Sequence, residues 1–93
     1  MKKLRGVHIS ENRQKFIRYT CLTYEDQPAA LQRKIDKLLA ECGGAYESAL
    51  REVMCGEESI TAIALRHFVS EATLYRLRKG FYESWFKKGR KRT

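Results

Sequence analysis

Thr73, Tyr75 and Arg76 fall within four consecutive positions of a stretch whose apolar spacing is helical. Leu74, Leu77 and Phe81 recur at i, i+3 and i+7 and form one inward stripe. Glu71, Ala72, Thr73, Tyr75, Arg76 and Lys79 are left on the outer face. These side chains suit the edges of nucleic-acid bases. An arginine can contact guanine through two parallel hydrogen bonds, and a threonine methyl can touch a thymine methyl. Ser70, at the head of the helix, and Thr73 can hold phosphates beside its free N–H groups. Packing alone explains the leucines, but not a tyrosine left in water next to an arginine.

Such a face has to be carried by a rigid pair of helices, and residues 59–78 (S-I-T-A-I-A-L-R-H-F-V-S-E-A-T-L-Y-R-L-R) read as that pair. Ala64 is the small residue a close crossing needs, with Ile60 and Ile63 beside it as core. Val69 is the buried residue of the turn, and Ser70 caps the second helix. Arg66, on the first helix, joins the candidate DNA contacts. Ile63, Ala64, Val69-Ser70, Thr73-Leu74-Tyr75-Arg76 and Leu77 resemble the helix-turn-helix of sigma-factor region-four domains and of small phage-type activators of Gram-positive bacteria. The string T-L-Y-R-L-R-K-G-F is also similar to the equivalent helix of transposase-associated helix-turn-helix proteins. The resemblance covers roughly residues 45–86. It implies a sequence-specific DNA-binding regulator of transcription acting with RNA polymerase at a phage or mobile-element promoter. Two positions depart from the pattern: Phe68 stands where glycine is usual, and His67 where an apolar residue is favoured. The turn is therefore expected to swing Phe68 into the core and leave His67 at the surface.

Upstream, residues 1–25 read as a basic arm followed by a short helix or an extended strap. Ser10 can cap a helix starting at Glu11 with Phe16, Ile17 and Thr20 inside, but residues 19–24 are rich in β-formers. Residues 26–86 read as a helical domain. Asp26-Gln27-Pro28 is a start signal, with Asp26 as cap and proline in the first turn. Leu31, Ile35, Leu38 and Leu39 then trace an apolar face that Gly43-Gly44 ends. A second helix is expected from Ala45 to Cys55, with Tyr46, Ala49, Leu50, Val53 and Met54 inside and Gly56 as its stop. Ser59 caps the next. The last helix is expected to run through Gly80 to Phe86. Its aromatics Phe81, Tyr82, Trp85 and Phe86 either cap the core against residues 28–42 and 45–55 or form a dimer surface. No strand stands out. The fold class is all-α, a small helical bundle with a C-terminal helix-turn-helix and a long last helix.

Charge is unevenly placed along the 93 residues, which carry a net +8. Residues 1–19 hold six basic side chains against one acidic, residues 20–65 four against eight, and residues 66–93 nine against two. Basic ends and an acidic middle fit one surface facing a polyanion and another facing solvent or a protein. Lys87, Lys88, Arg90, Lys91 and Arg92 make residues 87–93 either a sequence-independent phosphate binder or a solubility tail. The N-terminal arm can track a groove or backbone in the same way.

A chain of this length buries only about 60–65% of its unfolded surface and has no room for a deep, dry cleft. No glycine-rich phosphate loop, paired-acid constellation or nucleophile–base arrangement is visible, so catalysis is not expected. Cys21, Cys42 and Cys55 are odd in number and form no CxxC pair. A disulfide framework, a zinc site and any other cofactor are therefore not expected, and Cys55 reads as a small buried thiol. His8 and His67 complete no metal-ligand spacing. Free thiols, with no signal sequence and no long apolar run, fit a cytoplasmic bacterial protein at the nucleoid. The expected partner is double-stranded DNA, with RNA polymerase or another protein on the acidic residues 25–58 and no membrane. The sign of regulation and the choice of monomer or homodimer stay open. The competing readings are a protein-interaction module that binds a host protein through the same fold, and a transposase-accessory protein.

Overall fold

The structure is a computed structural model and describes residues 10–86; residues 1–9 and 87–93 lie outside it. Among the described residues there are five α-helices and no strand: α1 (Glu11–Leu22), α2 (Ala29–Gly43), α3 (Glu47–Cys55), α4 (Ile60–His67) and α5 (Glu71–Trp85). The all-α class is as expected. None of these helices is long and apolar enough to cross a membrane.

α1 settles the choice between helix and strap. Ser10 Oγ accepts from Arg13 N at 3.1 Å, and the helix runs through the β-formers to Leu22. Thr20 and Thr23 satisfy their hydroxyls on the carbonyls of Phe16 and Tyr19, each at 2.8 Å, while Ile17 and Cys21 pack fully into the core. Burial on one face outweighs strand propensity here. The inner face differs from expectation. Gln14, Ile17, Thr20 and Cys21 are buried, whereas Phe16 is exposed and stacks on Phe86 with ring centroids 6.5 Å apart.

α2 begins one residue later than its start signal suggests. Pro28 is the cap, its fixed φ of −60° leading into the helix, and Gln32 N bonds to its carbonyl at 3.0 Å. Asp26 does not cap α2, because it belongs to a 3₁₀ turn, Tyr24–Asp26. That turn is tied down by Tyr24, whose hydroxyl donates to both oxygens of Asp36 at 3.0 Å. Ile35 and Leu39 are fully buried, with Leu31 and Leu38 packed beside them. Gly44 ends α2 at φ +53°, a left-handed conformation glycine takes without steric cost.

A second 3₁₀ turn, Gly44–Tyr46, delays α3 to Glu47 and leaves Tyr46 exposed rather than inside. α3 is short but central. Ala49, Leu50, Val53 and Met54 are buried, and the helix packs against each of the other four. Gly56 then turns the chain where a Cβ would stand 2.9 Å from the Glu52 carbonyl oxygen.

α5 packs on α1, α2, α3 and α4. Leu74, Phe81, Tyr82 and Trp85 are buried along it, so most of the aromatic cluster belongs to the core. Lys34 of α2 lies over the Trp85 ring at 4.3 Å, and Cys42 Sγ lies 3.8 Å from Ser84 Oγ. Phe86 caps the helix end, partly exposed, with the Arg13 guanidinium 4.6 Å from its ring centre.

Candidate nucleic-acid interface

α4 and α5 are joined by two residues outside the helices after His67 and one capping serine. Ser59 starts α4, its Oγ accepting from Ala62 N at 3.1 Å. Ile63 and Ala64 face the interior. Val69 N reaches back to the Ala64 carbonyl at 3.0 Å and packs Val69 on the core.

The turn corrects the sequence expectation for both of its unusual residues. Phe68 adopts the left-handed conformation, φ 58° and ψ 41°, and its side chain is 94% exposed. His67, not Phe68, is tucked in, with its ring Nε2 3.1 Å from Glu52 Oε2, close but not aligned as a hydrogen bond. A left-handed residue at a helix C-terminus swings its Cβ off the helix face, so Val69 takes the inward place. Leu65, one turn before Phe68, is also exposed.

At the head of α5 the expected cap forms: Ser70 Oγ accepts from Thr73 N at 3.0 Å. The two hydroxyls also meet at 2.8 Å, and with Ser70 as donor Thr73 keeps its own proton for an outside acceptor. Glu71 is exposed and accepts from the Thr61 hydroxyl at 2.9 Å, which fixes one carboxylate oxygen. Ala72, Tyr75, Arg76 and Lys79 then follow at helical spacing. Ala72, Tyr75 and Arg76 are exposed, while Thr73 and Lys79 are half-buried. Arg76 and Lys79 have no ion pair, hydrogen bond or ring contact among the described residues.

Arg78 does not stand out in the sequence pattern. Its guanidinium lies 5.1 Å from the centre of the Tyr75 ring, and its Nε is buried without a hydrogen-bond partner. The i, i+3 spacing of Tyr75 and Arg78 on one helix is the signal that could have found it. Arg66 behaves differently from the other candidates. Its guanidinium is held by both Glu52 and Glu58, and Glu58 foremost raises its pKa above the ordinary arginine value. Ser70, Glu71, Ala72, Thr73, Tyr75, Arg76 and Lys79 thus share one helix, whereas Arg66 is committed to α3 and the following loop. Lys87, Lys88, Arg90, Lys91 and Arg92 lie outside the described residues.

The arrangement can read a polar edge. It offers a free guanidinium and ammonium, a hydroxyl donor, a carboxylate acceptor and an aromatic plane braced by Arg78. Among the described residues no group of three or more His, Cys, Asp or Glu could hold a metal ion. Comparison of the chain with protein-family profiles, with curated proteins and with solved structures returned no match.

Proposed function

We propose that this protein binds duplex DNA through a helix-turn-helix made of α4 and α5, with α5 as the recognition helix in a major groove, and that it regulates transcription. The observation that carries the reading is the outer face of α5, where Arg76 and Lys79 stay unpaired although most arginines elsewhere in the fold are engaged. A cation without an internal partner beside an exposed Tyr75 is ready for an external acceptor. Arg76 supplies base contact, Thr73 a hydroxyl or methyl contact, and Glu71 an acceptor for a cytosine amino group. Glu71 also opposes a phosphate at the head of α5, so phosphate anchoring falls to Lys79 and to Lys87, Lys88, Arg90, Lys91 and Arg92. Action alongside RNA polymerase is part of the same proposal.

In-vitro selection of DNA sites from a random duplex pool tests it. Enrichment of a defined sequence is expected, and its symmetry tells monomer from dimer. Failure to enrich any sequence, together with no gel shift at low salt, would remove the proposal.

One observation favours a second reading, a protein-interaction module. Leu65 is 73% exposed and Phe68 94% exposed at the α4–α5 corner, and paired large apolar side chains in water suit a protein contact better than a phosphate backbone. Loss of DNA binding at every salt concentration would favour it.

A further inference from the structure

The outer face of α1 is made of rings and cations. Gln14, Ile17, Thr20 and Cys21 turn inward, which leaves Asn12, Arg13, Lys15, Phe16 and Tyr19 exposed. Phe16 is 54% exposed and Tyr19 66%, and their i, i+3 spacing makes them neighbours on the helix surface. The end of α5 adds a third ring. Phe86 lies with its ring centre 6.5 Å from that of Phe16, the two planes 28° apart. The Arg13 guanidinium sits 4.6 Å from the centre of the Phe86 ring. Two helices thus hold Arg13, Phe16 and Phe86 as one ordered patch, with Tyr19 one turn farther along α1.

The composition of this face narrows its partner. None of the exposed side chains of α1 is aliphatic or acidic. Arg13 and Lys15 have no ion pair among the described residues, and the Phe86 ring leaves the charge of Arg13 unneutralised. The carboxylates of α1 and of the last turn of α5, Glu11 and Glu83, are only partly exposed. More positive charge joins the fold at the same place. Lys2, Lys3 and Arg5 precede Ser10, where α1 begins, and Lys87, Lys88, Arg90, Lys91 and Arg92 follow Phe86. A second copy of the chain would set like charges against each other, and an apolar partner would leave these cations without a counter-charge. Nucleic acid meets both needs, with phosphates for the cations and flat bases for the rings. In a duplex each base face is covered by its neighbours, so an unpaired strand is what offers it.

We propose that the outer face of α1, together with Phe86, binds single-stranded nucleic acid. Phe16 and Tyr19 stack on bases, Phe86 backs Phe16, and Arg13 and Lys15 take the phosphates between. The basic segments before α1 and after Phe86 add affinity that depends on salt and not on bases. This goes beyond the duplex reading, in which the outer face of α5 meets base edges in a groove, and neither depends on the other.

Fluorescence anisotropy of labelled strands of equal length, titrated with the full chain at several salt concentrations, tests it. The strands are oligo-dT, oligo-U and an abasic strand with the same number of phosphates. Both base-bearing strands are expected to bind about tenfold or more tightly than the abasic one, and the tighter of the two identifies the sugar. Phe16→Ala combined with Tyr19→Ala is expected to remove that margin and leave the affinity for the abasic strand and for random duplex unchanged. Since wild-type protein carries the comparison with the abasic strand, poor folding of the variant does not shield the proposal. Equal binding of abasic and base-bearing strands, or a margin that survives the double substitution, would overturn it. So would an equal loss on duplex, or a self-association that the double substitution abolishes. Competition by poly-glutamate as effective as that by oligo-dT would overturn it in favour of an acidic protein partner.

Discussion

Phe68 is the residue where local geometry and chemistry conflict most plainly. A non-glycine side chain in the left-handed region costs about 1–2 kcal/mol, and this ring returns little by burial because it stands in solvent. Glycine removes that strain but adds about 0.5–1 kcal/mol of unfolded-state entropy. Phe68→Gly is therefore expected to stabilise the fold by about 0.5–1 kcal/mol in urea unfolding while leaving DNA affinity unchanged. A lower midpoint would mean that the ring makes a stabilising contact. Arg76 gives the matching prediction for binding. Arg76→Ala is expected to weaken the selected site by about 1–3 kcal/mol and random duplex much less, as when a bidentate base contact is removed. Equal losses on both duplexes would make Arg76 a phosphate contact.

Arg18 matters most at the scale of elements, because it completes a helix it does not belong to. α3 has no basic side chain in its own last turn, and Arg18 of α1 supplies the missing charge and donors to its final carbonyls. Arg18→Ala is expected to cost about 2–4 kcal/mol, the scale of removing charge-assisted hydrogen bonds and leaving their carbonyls half-buried. Chemical denaturation measures it, and a cost near zero would show that water replaces the guanidinium freely. This contact also marks where sequence reading stops. Caps such as Ser10, Ser59 and Ser70 are legible because their partner lies three residues on, and the faces of α2 and α3 are legible because burial repeats at helical spacing. The outer face of α5 is legible for the same reason. Spacing misplaces Phe16 because α1 has few apolar residues, so Gln14 and Cys21 fill its inner face instead. It misplaces Asp26 because a 3₁₀ turn takes that residue before α2 begins. The pairings of Arg18 with residues 53–56 and of Arg66 with Glu52 and Glu58 depend on how helices pack. No local periodicity encodes them.

Across the whole molecule, the proposed DNA binding assigns affinity and specificity to differently placed charges. Arg66, Arg51 and Arg18 are engaged by internal partners, so they add to the net +8 without being free to replace counterions on a polyanion. On the outer face of α5, the proposed recognition face, the cations free to do so are Arg76 and Lys79, which are too few for strong non-specific binding at physiological salt. Lys87, Lys88, Arg90, Lys91 and Arg92 follow α5 in the sequence, and under the proposed function they supply the remaining phosphate contacts. Each phosphate they neutralise steepens the fall of log affinity with log salt by about 0.9. Removing residues 87–93 is accordingly expected to weaken binding to selected and random duplexes by a similar factor. It also flattens the salt slope by about 0.9 for every phosphate the tail neutralises, and leaves the selected sequence unchanged. Gel-shift titrations at several salt concentrations read the affinities and the slope, and repeating the site selection with the shortened chain reads the sequence. An unchanged slope would show the tail to be idle, and an altered sequence preference would mean that it reads bases rather than phosphates.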